Sequence, residues 1–579
     1  MGIQIDCVRI ANFRGLNNIE VLLPRVAVLV GINNSGKTSI IKAIQLAIGD
    51  YRRYLVDDDF YIDENGNRKK EILVDYRIIP INIEGNRERE FTEEWAQDFG
   101  DKIQPDEYQY VAIRSVASFD STKGEFKIER FFLKEWPDFK DWQKQSIKPE
   151  KLKNWLNPLT FIPIESQRDI NGELKEKKSF IGRILSNLKY DENDTLELEQ
   201  KISDINNNIV SKSEVLDILR ENLNQLNESF DGYGNTELTP LPKKLIDLHK
   251  QFSIHFSESK GKSFSMEYHG MGTRSWASML TMLAFVKILE KNHKDDVKPF
   301  FPIIAAEEPE AHLHPNAQRT LYNQLAESSG QIIISTHSPY LAGISELSNL
   351  RMLIKRNDST IVTSLNNGLT EMDKKKLQRA VMLLRGEILF AKVIVLFEGI
   401  TEEQVIPAMF EKYFSDNGYK KGVVFVSVGG KEYSPFVKMA INLQIPCCII
   451  SDNDKNTYQE IQNQIEKIEN KDNEIFSLYF LQTGNDFEAE LLNMNLKDEI
   501  KKVLLIVETN NTDNNKYREV KKKEIDKWTD NDILEKIRNL KSEYSSFLAD
   551  EIIKSDKEAK DIIPQSIIDA FEKIKEWLK

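Results

Sequence analysis

The chain is poor in cysteine and has no long apolar run. Its three cysteines, Cys7, Cys447 and Cys448, among 579 residues are too few and too unevenly placed for a disulfide framework or a zinc-spaced set. No run approaches the ~18 apolar residues that cross a bilayer, and the first residues lack the basic start and apolar centre of a secretory leader. We therefore expect a cytoplasmic protein with no membrane partner.

The chain also has no excess of positive charge. Its net charge of −13 argues against a surface that coats nucleic acid without specificity, although a local basic track or a metal-bridged site stays open. Its length is sufficient for two or more domains, each with its own hydrophobic core. Composition therefore indicates a multidomain globular protein and says little about function.

A glycine-rich turn between a predicted strand and a predicted helix is the motif around which the chain is organised. The apolar run Val26–Val30 predicts a strand buried on both faces, and the periodicity from Ile40 to Ala47 predicts a helix. The sequence between them, G-I-N-N-S-G-K-T, matches the pattern of a phosphate-binding loop. In such a loop the backbone N–H groups converge on an anion. We predict that it binds ATP, with Lys37 on the β and γ phosphates and the Thr38 hydroxyl on Mg²⁺. The predicted nucleotide-binding residues are Gly31, Asn33, Asn34, Ser35, Gly36, Lys37, Thr38 and Ser39.

Paired carboxylates follow a second apolar run. The segment from Phe301 to Ala306 predicts a buried strand, and Glu307 and Glu308 stand at its end. We predict that Glu307 holds magnesium through water and that Glu308 orients or deprotonates the attacking water. A solvated acidic turn would explain two glutamates, but not two glutamates at the end of a buried strand. The pair therefore supplies the second half of the predicted ATP site.

Two further segments indicate more than one subunit. Gly270 and Gly272 precede a predicted helix that runs through Leu289, and glycines at a helix start suit a loop that grips the γ phosphate of a nucleotide bound by another subunit. Many helix caps look similar, so the interpretation depends on their position between the two halves of the ATP site. Apolar residues spaced by three and four from Leu198 to Leu226 predict a helical pair or short coiled coil, packed either on its own domain or on a second subunit. We predict a homodimer or a higher oligomer.

A second set of carboxylates follows two later apolar runs. One run leads to Glu398 and Gly399, and another leads to Asp452 and Asp454. Because the carboxyl ends of parallel strands meet at one edge of a sheet, hard carboxylate oxygens would converge there and bind Mg²⁺ or Mn²⁺. Asp-Asn-Asp alone is typical of an ordinary turn, but together with Glu398 it favours a metal site.

The order of these motifs resembles a known family. The phosphate-binding loop, the segment Glu307–Pro315 and the segment Ser335–Pro339, followed by a second domain, are similar to the overcoming-lysogenisation-defect (OLD) family of bacterial and phage nucleases, which includes the Gabija defence nuclease. The resemblance implies an α/β fold with an ABC-type (SMC-like) P-loop ATPase domain at 1–375, in which about 185–245 is an inserted helical segment and a candidate for dimerisation. It implies a TOPRIM α/β domain at 385–579 with a helical C-terminal part. Two departures, Glu307 where aspartate is common and no clear Leu-Ser-Gly-Gly-Gln signature, suggest slow hydrolysis.

The resemblance also implies roles for individual residues. It places His337 beside the γ phosphate. It implies a two-metal nuclease centre with the ligands Glu398, Glu402, Asp452, Asp454, Asp486 and Glu488. It implies a functional lysine near the C-terminus that steadies the cleaved phosphate, for which Lys557 and Lys554 are both candidates. The implied catalytic residues are then Glu308, His337, Glu398, Asp452, Asp454 and Lys557.

Together these features predict an ATP-binding and ATP-hydrolysing, Mg²⁺- or Mn²⁺-dependent endonuclease that nicks or cuts double-stranded DNA. The resemblance adds a role in anti-phage defence, with a helicase or a reverse transcriptase and non-coding RNA encoded nearby as partner. The alternative is an SMC-like sensing or structural ATPase whose TOPRIM domain binds metal and nucleic acid without cleaving. The grouping of carboxylates favours the nuclease, because simple DNA holding would not need them. A topoisomerase would need a domain with a nucleophilic tyrosine, for which no motif is evident.

Overall fold

A computed structural model of the chain describes most of its residues, and these form two compact units. The described residues are 2–49, 51, 55–144, 150–152, 158–165, 191–214, 216, 240–242, 244, 255–259, 262–265, 269–295, 299–356, 359–365, 368–379, 386–454, 456–468, 474–510 and 514–579. The first unit comprises Met1–Ile3, Glu90–Gly100 and Asn154–Ile332, and the second comprises Gln4–Arg89, Asp101–Lys153 and Ile333–Lys579.

Strands and helices alternate along most of the chain. The strands are β1 Ile3–Phe13, β2 Leu16–Leu22, β3 Val26–Val30, β4 Glu71–Pro80, β5 Val111–Asp120, β6 Glu125–Leu133, β7 Glu150–Lys151, β8 Leu159–Ile164, β9 His255–Ser259, β10 Lys262–Ser265, β11 Phe301–Glu307, β12 Gln331–Thr336, β13 Leu350–Arg356, β14 Ser359–Ser364, β15 Val393–Phe397, β16 Val423–Ser427, β17 Cys447–Ser451 and β18 Phe476–Phe480. The helices are α1 Lys37–Ile48, α2 Glu93–Phe99, α3 Glu192–Lys212, α4 Met271–Asp295, α5 Pro315–Ala326, α6 Pro339–Ile344, α7 Glu371–Leu377, α8 Ile400–Phe414, α9 Gly418–Lys421, α10 Ser434–Asn442, α11 Thr457–Glu466, α12 Phe487–Asn493, α13 Lys497–Thr509, α14 Asn515–Ile525, α15 Asp530–Asn539, α16 Lys541–Lys554, α17 Ala559–Ile562 and α18 Gln565–Trp577.

The first unit contains the strand that leads to the predicted glutamate pair. Strands β8 and β11 run parallel, with Phe301 opposite Leu159, and β9 and β10 are antiparallel. The apolar residues of β11 are buried up to Glu307, which confirms the predicted strand. Helix α5 begins after His314, whose Nδ1 accepts the Asn316 backbone N–H and so satisfies one of the open donors at the helix start.

The second unit contains the β-rich part of the ATPase region. Strands β1 and β2 form an antiparallel hairpin, with Arg9 opposite Glu20 and an ion pair of 2.6 Å between their side chains. Strands β4, β5, β6 and β7 are successive antiparallel neighbours. Strand β3 is buried along its whole length and runs parallel to β13, which pairs antiparallel with β14. The strand that was predicted before the phosphate-binding loop is therefore confirmed.

The same unit contains a four-stranded parallel sheet near the C-terminus. Its order is β16-β15-β17-β18, and every residue of β15 and β17 is buried. The helices that follow the sheet share its core. For example, Phe410 of α8 packs edge-on against Phe571 of α18, with ring centroids 5.3 Å apart. This is the parallel α/β arrangement with a helical C-terminal part that the resemblance implies.

A cavity of about 300 Å³ lies at the amino edge of this parallel sheet. On one side it is lined by Gly31 and Ile32 of the phosphate-binding loop and by the end of β13. On the other side it is lined by the residues that precede β15 and β17, and by Trp577. The start of the phosphate-binding loop and the amino edge of the sheet thus face one shared space.

Several predictions concern residues at the limits of the described structure. Helix α4 begins at Met271, so Gly272 lies in its first turn and not before it. Helix α3 accounts for the start of the apolar repeat, and its Leu198 and Ile205 are exposed; residues 215 and 217–239 of that region lie outside the described residues. The domain limits 1–375 and 385–579 stay predictions. Among the described residues, no helix is both long and apolar enough to cross a membrane.

Candidate functional site

The phosphate-binding loop leaves the end of β3 and closes at the start of α1. Lys37 is the first residue of α1, and its Nζ donates to the Gly31 carbonyl (2.8 Å) and the Ile32 carbonyl (3.0 Å). The side chain of Thr38, the predicted magnesium ligand, lies at the surface. The Lys37 ammonium group thus contacts the carbonyls of its own loop, at the N-terminus of α1, where a phosphate would bind.

Two glycines of this loop are required by close contacts. A Cβ atom on Gly31 would lie 2.6 Å from the Leu353 carbonyl oxygen. Gly36 has a φ of 103°, and a Cβ atom there would lie 2.9 Å from the side chain of Leu16. At Gly31 a side chain would collide with the backbone of β13, and at Gly36 it would be strained by the left-handed backbone conformation. The glycines of the motif therefore have a packing reason as well as a phosphate-binding one.

The predicted glutamate pair stands at the carboxyl end of β11 in the first unit. Glu307 is the last residue of the strand, and Glu308 follows with a φ of 43°. A glutamate in the left-handed region costs of order 1–3 kcal/mol and persists only where the surroundings enforce it, as they often do at active sites. Glu308 therefore has a backbone conformation that is often found at active sites, and its catalytic role stays a prediction.

Gly272 has a structural role within its own chain. A Cβ atom on this residue would lie 2.4 Å from the His312 carbonyl oxygen, so only glycine allows the first turn of α4 to approach that loop. A Cβ atom on Gly270 would meet no atom within 4 Å. The predicted contact of Gly270 and Gly272 with a nucleotide of a second subunit stays a prediction.

His337 follows β12 in the second unit, the unit that also holds the phosphate-binding loop. It is half-buried, and the next residue, Ser338, caps α6 by accepting the Leu341 backbone N–H at 3.2 Å. This cap fixes the chain directly after the histidine. His337 therefore stands between a fully buried strand and a capped helix.

The second group of carboxylates meets at the carboxyl edge of the parallel sheet. In the register of β15 and β17, Leu396 lies opposite Ile449, which brings Glu398 and Asp452 to the same edge. Glu402 is in the first turn of α8 and is 7% exposed. Its carboxylate folds back to within 3.2 Å of the place that a Cβ atom on Gly399 would occupy. Gly399 thus allows Glu402 to join the strand-end carboxylates.

Burial and mutual repulsion act on the inner carboxylates of this edge. Burial, followed by the charges of Glu402 and Glu398, raises the pKa of Asp452 to about 8. Burial raises the pKa of Glu402 to about 7, with Glu488 as a further negative neighbour, and burial also raises the pKa of Glu398. Crowded carboxylates with raised pKa values are typical of sites that hold a cation.

Two oxygen atoms at this edge are suited to a metal ion. Oε2 of Glu398 and Oδ1 of Asp452 are buried, and neither has a hydrogen-bond partner among the described residues. Within those residues, no three His, Cys, Asp or Glu side chains already converge on one ion position. Mg²⁺ commonly takes one or two protein carboxylates and keeps several water ligands. Glu398 and Asp452 therefore fit an ion that retains water.

The outer carboxylates of the same edge are each paired with a cation. Asp486 accepts from Arg538 at 2.8 Å, and Glu488 accepts from Lys541 at 3.1 Å. Asp454 lies 3.6 Å from Lys431. We call this group of carboxylates the acidic edge. Within the described part of the chain, its outer members form ion pairs with these cations, whereas Glu398 and Asp452 feel nearby lysines only at longer range.

The lysine in this group differs from the predicted one. Nζ of Lys557 donates to Glu499 and to the Asn495 carbonyl, each at 2.7 Å. Lys557 is therefore bound to the start of α13 and to the residues just before it. The lysine that contacts a predicted metal ligand at the C-terminal side is Lys541. No pattern in the sequence distinguishes Lys541 from the other lysines of the helical C-terminal part. Only the helix packing reveals it.

A phosphate-binding loop on a buried strand, followed by a parallel sheet with carboxylates at its carboxyl edge, defines an ATPase domain joined to a TOPRIM domain. The chain belongs to the AAA ATPase domain family, whose model matches residues 4–342. A second family model, the TOPRIM domain of overcoming lysogenization defect protein-like proteins, matches residues 389–454. The resemblance to the OLD family and the predicted fold class are thereby confirmed.

Three relatives illustrate the extent of the similarity. The chain is 25% identical over 482 residues to the OLD nuclease of Thermus scotoductus, covering 77% of this chain and 81% of that protein. It is 23% identical over 472 residues to the Old nuclease of Escherichia phage P2, covering 74% of each chain. It is 22% identical over 460 residues to the endonuclease GajA of Bacillus cereus strain VD045, covering 77% of this chain and 74% of that protein.

Proposed function

We propose that this chain is an ATP-regulated endonuclease that nicks or cuts double-stranded DNA with Mg²⁺ or Mn²⁺ at the TOPRIM sheet. The observation that carries the proposal is the pair of buried carboxylate oxygens without partners on Glu398 and Asp452. A surface that only holds DNA would avoid such charges, because carboxylates repel phosphate. The three relatives described above are nucleases by name, which supports the same reaction.

The residues of the acidic edge divide into two roles. A divalent ion held by Glu398 and Asp452 would neutralise charge on the scissile phosphate and activate a water. Lys541 and Arg538 keep half of their side chains exposed, so their charged ends can bind the non-bridging oxygens of a phosphate. The further proposed ligands are Glu402, Asp454, Asp486 and Glu488, and the lysine that steadies the cleaved phosphate is Lys541 in preference to Lys557.

We propose that ATP binds at the phosphate-binding loop. Lys37 would leave the Gly31 and Ile32 carbonyls for the β and γ phosphates, and Thr38 would complete a Mg²⁺ shell. The other proposed residues of the nucleotide site are Asn33, Asn34, Ser35, Gly36, Ser39, Glu307, Glu308 and His337, with Gly270 and Gly272 supplied by a second subunit.

The biological setting is proposed from the family resemblance. It implies a cytoplasmic homodimer or higher oligomer that acts on DNA in anti-phage defence. It also implies a partner encoded nearby, either a helicase or a reverse transcriptase with a non-coding RNA. These proposals concern the location, assembly and partners of the protein. The experiment on DNA cleavage does not depend on them.

The decisive experiment incubates the purified protein with supercoiled plasmid and Mg²⁺ or Mn²⁺, with and without ATP. We expect nicked or linear product that EDTA abolishes. Asp452→Ala should reduce cleavage by orders of magnitude and keep ATP hydrolysis, because the metal acts directly on the phosphate. The control is Asp498→Asn, an exposed carboxylate at the start of α13. If Asp452→Ala nicks plasmid at the wild-type rate, the chemistry lies elsewhere and the non-cleaving ATPase is the better assignment.

A further inference from the structure

Helix α1 carries the phosphate-binding loop at its N-terminal end, and its C-terminal end needs hydrogen-bond donors from elsewhere. The last C=O groups of a helix have no partner within it. The Gln45 carbonyl accepts the Gly49 backbone N–H at 2.7 Å. However, α1 has no basic residue in its last turn that could donate to the carbonyls beyond Gln45. Other parts of the chain supply these donors.

Arg130 of β6 binds three carbonyls at this end of α1. Its Nε donates to the Ala47 carbonyl at 2.8 Å, and its Nη2 donates to the carbonyls of Leu46 (3.2 Å) and Gly49 (3.1 Å). Hydrogen bonds from a charged donor are stronger than those between neutral groups. A cation at the C-terminus of a helix also interacts favourably with the helix dipole. Arg130 therefore attaches the end of α1 firmly to the antiparallel sheet.

Ser115 of β5 binds the same end of the helix. It lies directly opposite Arg130 in the antiparallel pair of β5 and β6, and opposite residues project from the same face of a sheet. Its Oγ donates to the Ala47 carbonyl at 3.1 Å, and Ser115 is buried. The Ala47 carbonyl thus accepts from both members of one cross-strand pair. We call Arg130 and Ser115 the helix clamp.

The helix clamp restrains movement of α1 along its own axis. The buried side chains of α1 are mainly aliphatic, and apolar contacts are non-directional, whereas hydrogen bonds require a particular distance and angle. The helix has 12 residues, which span roughly 18 Å at about 1.5 Å per residue. A shift of this short helix along its axis would carry Lys37 and Thr38, at its other end, away from their places.

We propose that Arg130, together with Ser115, is a positioning residue of the nucleotide site. The helix clamp holds the C-terminal end of α1, so that Lys37, Thr38 and the first backbone N–H groups keep a fixed place for the phosphates. Both residues act through the helix and not through contact with the nucleotide. The inference rests on the proposed binding of ATP, and it gives the antiparallel sheet a part in that binding.

The test measures the affinity of the full-length protein for a non-hydrolysable ATP analogue with Mg²⁺ by isothermal titration calorimetry. Each variant is measured well below its own unfolding midpoint. We expect Arg130→Ala to bind the analogue roughly tenfold more weakly than wild type, which corresponds to about 1.4 kcal/mol. Ser115→Ala should lose less affinity, because it removes one neutral hydrogen bond. Wild-type affinity in Arg130→Ala would overturn the inference.

A matched variant of the same sheet separates positioning from general stability. Arg77 of β4 is partly buried, as Arg130 is, and it forms an ion pair of 2.6 Å with Asp6. Arg77→Ala therefore removes a structural arginine of this sheet without altering the helix clamp, and it should keep wild-type affinity. Equal losses of affinity in Arg77→Ala and Arg130→Ala would refute the inference.

Arg130→Lys decides the question if Arg130→Ala does not fold. Lysine keeps the charge but lacks the planar fork of donors, so this variant should also bind the analogue more weakly than wild type. Unchanged affinity in Arg130→Lys would then count against the helix clamp.

Failure of the inference is distinguishable from failure of the proposed ATP site. Wild-type protein that binds the analogue no better than Lys37→Ala would remove the proposed site, and the inference with it. Binding by wild type that Arg130→Ala leaves unchanged would remove the inference alone.

Discussion

Replacing Asp452 by asparagine tests the acidic edge through stability as well as through cleavage. Burial, followed by the charges of Glu402 and Glu398, raises the pKa of Asp452 to about 8, whereas an unperturbed aspartate titrates near ~3.9. Because the folded pKa lies above the unfolded one, the stability that this group contributes is fully present below about pH 4 and is lost as the pH rises toward the folded value.

The size of this loss follows from the same pKa difference. Between the unfolded pKa and about pH 7 the folded protein loses stability over roughly three pH units. This sets an upper limit of roughly 4 kcal/mol on the loss in the free energy of unfolding. Glu398 and Glu402 titrate with Asp452, so the loss is shared between them. We expect Asp452→Asn to stabilise the metal-free protein by about 1–3 kcal/mol near neutral pH and hardly at all near pH 4. For a domain of about 150–250 residues, each kcal/mol raises the unfolding midpoint by roughly 2–4 °C.

The assay is thermal unfolding in EDTA over a pH series, followed by the same series in Mn²⁺. Without metal, the midpoint of the variant should exceed that of wild type, and the gap should widen as the pH rises. With Mn²⁺, wild type should gain more than the variant, because a ligand that binds the folded state stabilises it. A lower midpoint for Asp452→Asn at neutral pH, or a gap independent of pH, would refute the reasoning. Asp498→Asn serves as the exposed control.

Three further predictions concern the ATPase part. Lys37→Ala should abolish ATP hydrolysis and leave the fold intact, since its hydrogen bonds to the loop carbonyls are local; unchanged phosphate release would contradict this. Glu308→Gln should bind ATP and trap it, because the residue that orients the attacking water is lost; filter binding measures the trapped nucleotide, and turnover at the wild-type rate would be the contrary result. Light scattering should give at least twice the monomer mass of 67.1 kDa, and a monomer both with and without ATP would end the dimer prediction.

The strands that deliver the predicted residues were accessible to sequence analysis for a physical reason. Val26–Val30 and Val393–Phe397 are buried on both faces, so each is an unbroken apolar run whose end is marked by the first polar residue or glycine. Parallel neighbours then share their carboxyl edge. The placement of Glu398 and Asp452 at one edge followed from these two rules, and the structure agrees with it.

Sequence analysis could not identify the cations at that edge in the same way. Arg538 and Lys541 belong to amphipathic helices that carry other lysines as well, and no spacing rule separates a lysine that contacts the site from one that faces solvent. Their position depends on how α15 packs against α12, which is a tertiary property. The same reason explains why Lys557 was predicted, although its ammonium is bound to Glu499. The close approach of Gly272 to His312 is likewise a matter of packing.

The cavity at the amino edge of the parallel sheet has a consequence for protein engineering. Strands β15 and β17 each have five residues, which at about 3.3 Å per residue span roughly 17 Å. The cavity lies at one end of these strands and the acidic edge at the other, so the length of two buried strands separates the start of the phosphate-binding loop from the carboxylates. A bulky substitution at Gln444, which lines the cavity, would occupy part of this space and leave Lys37, Glu398 and Asp452 unchanged. Gln444 is therefore a position at which the cavity can be altered without replacing a residue proposed for either site.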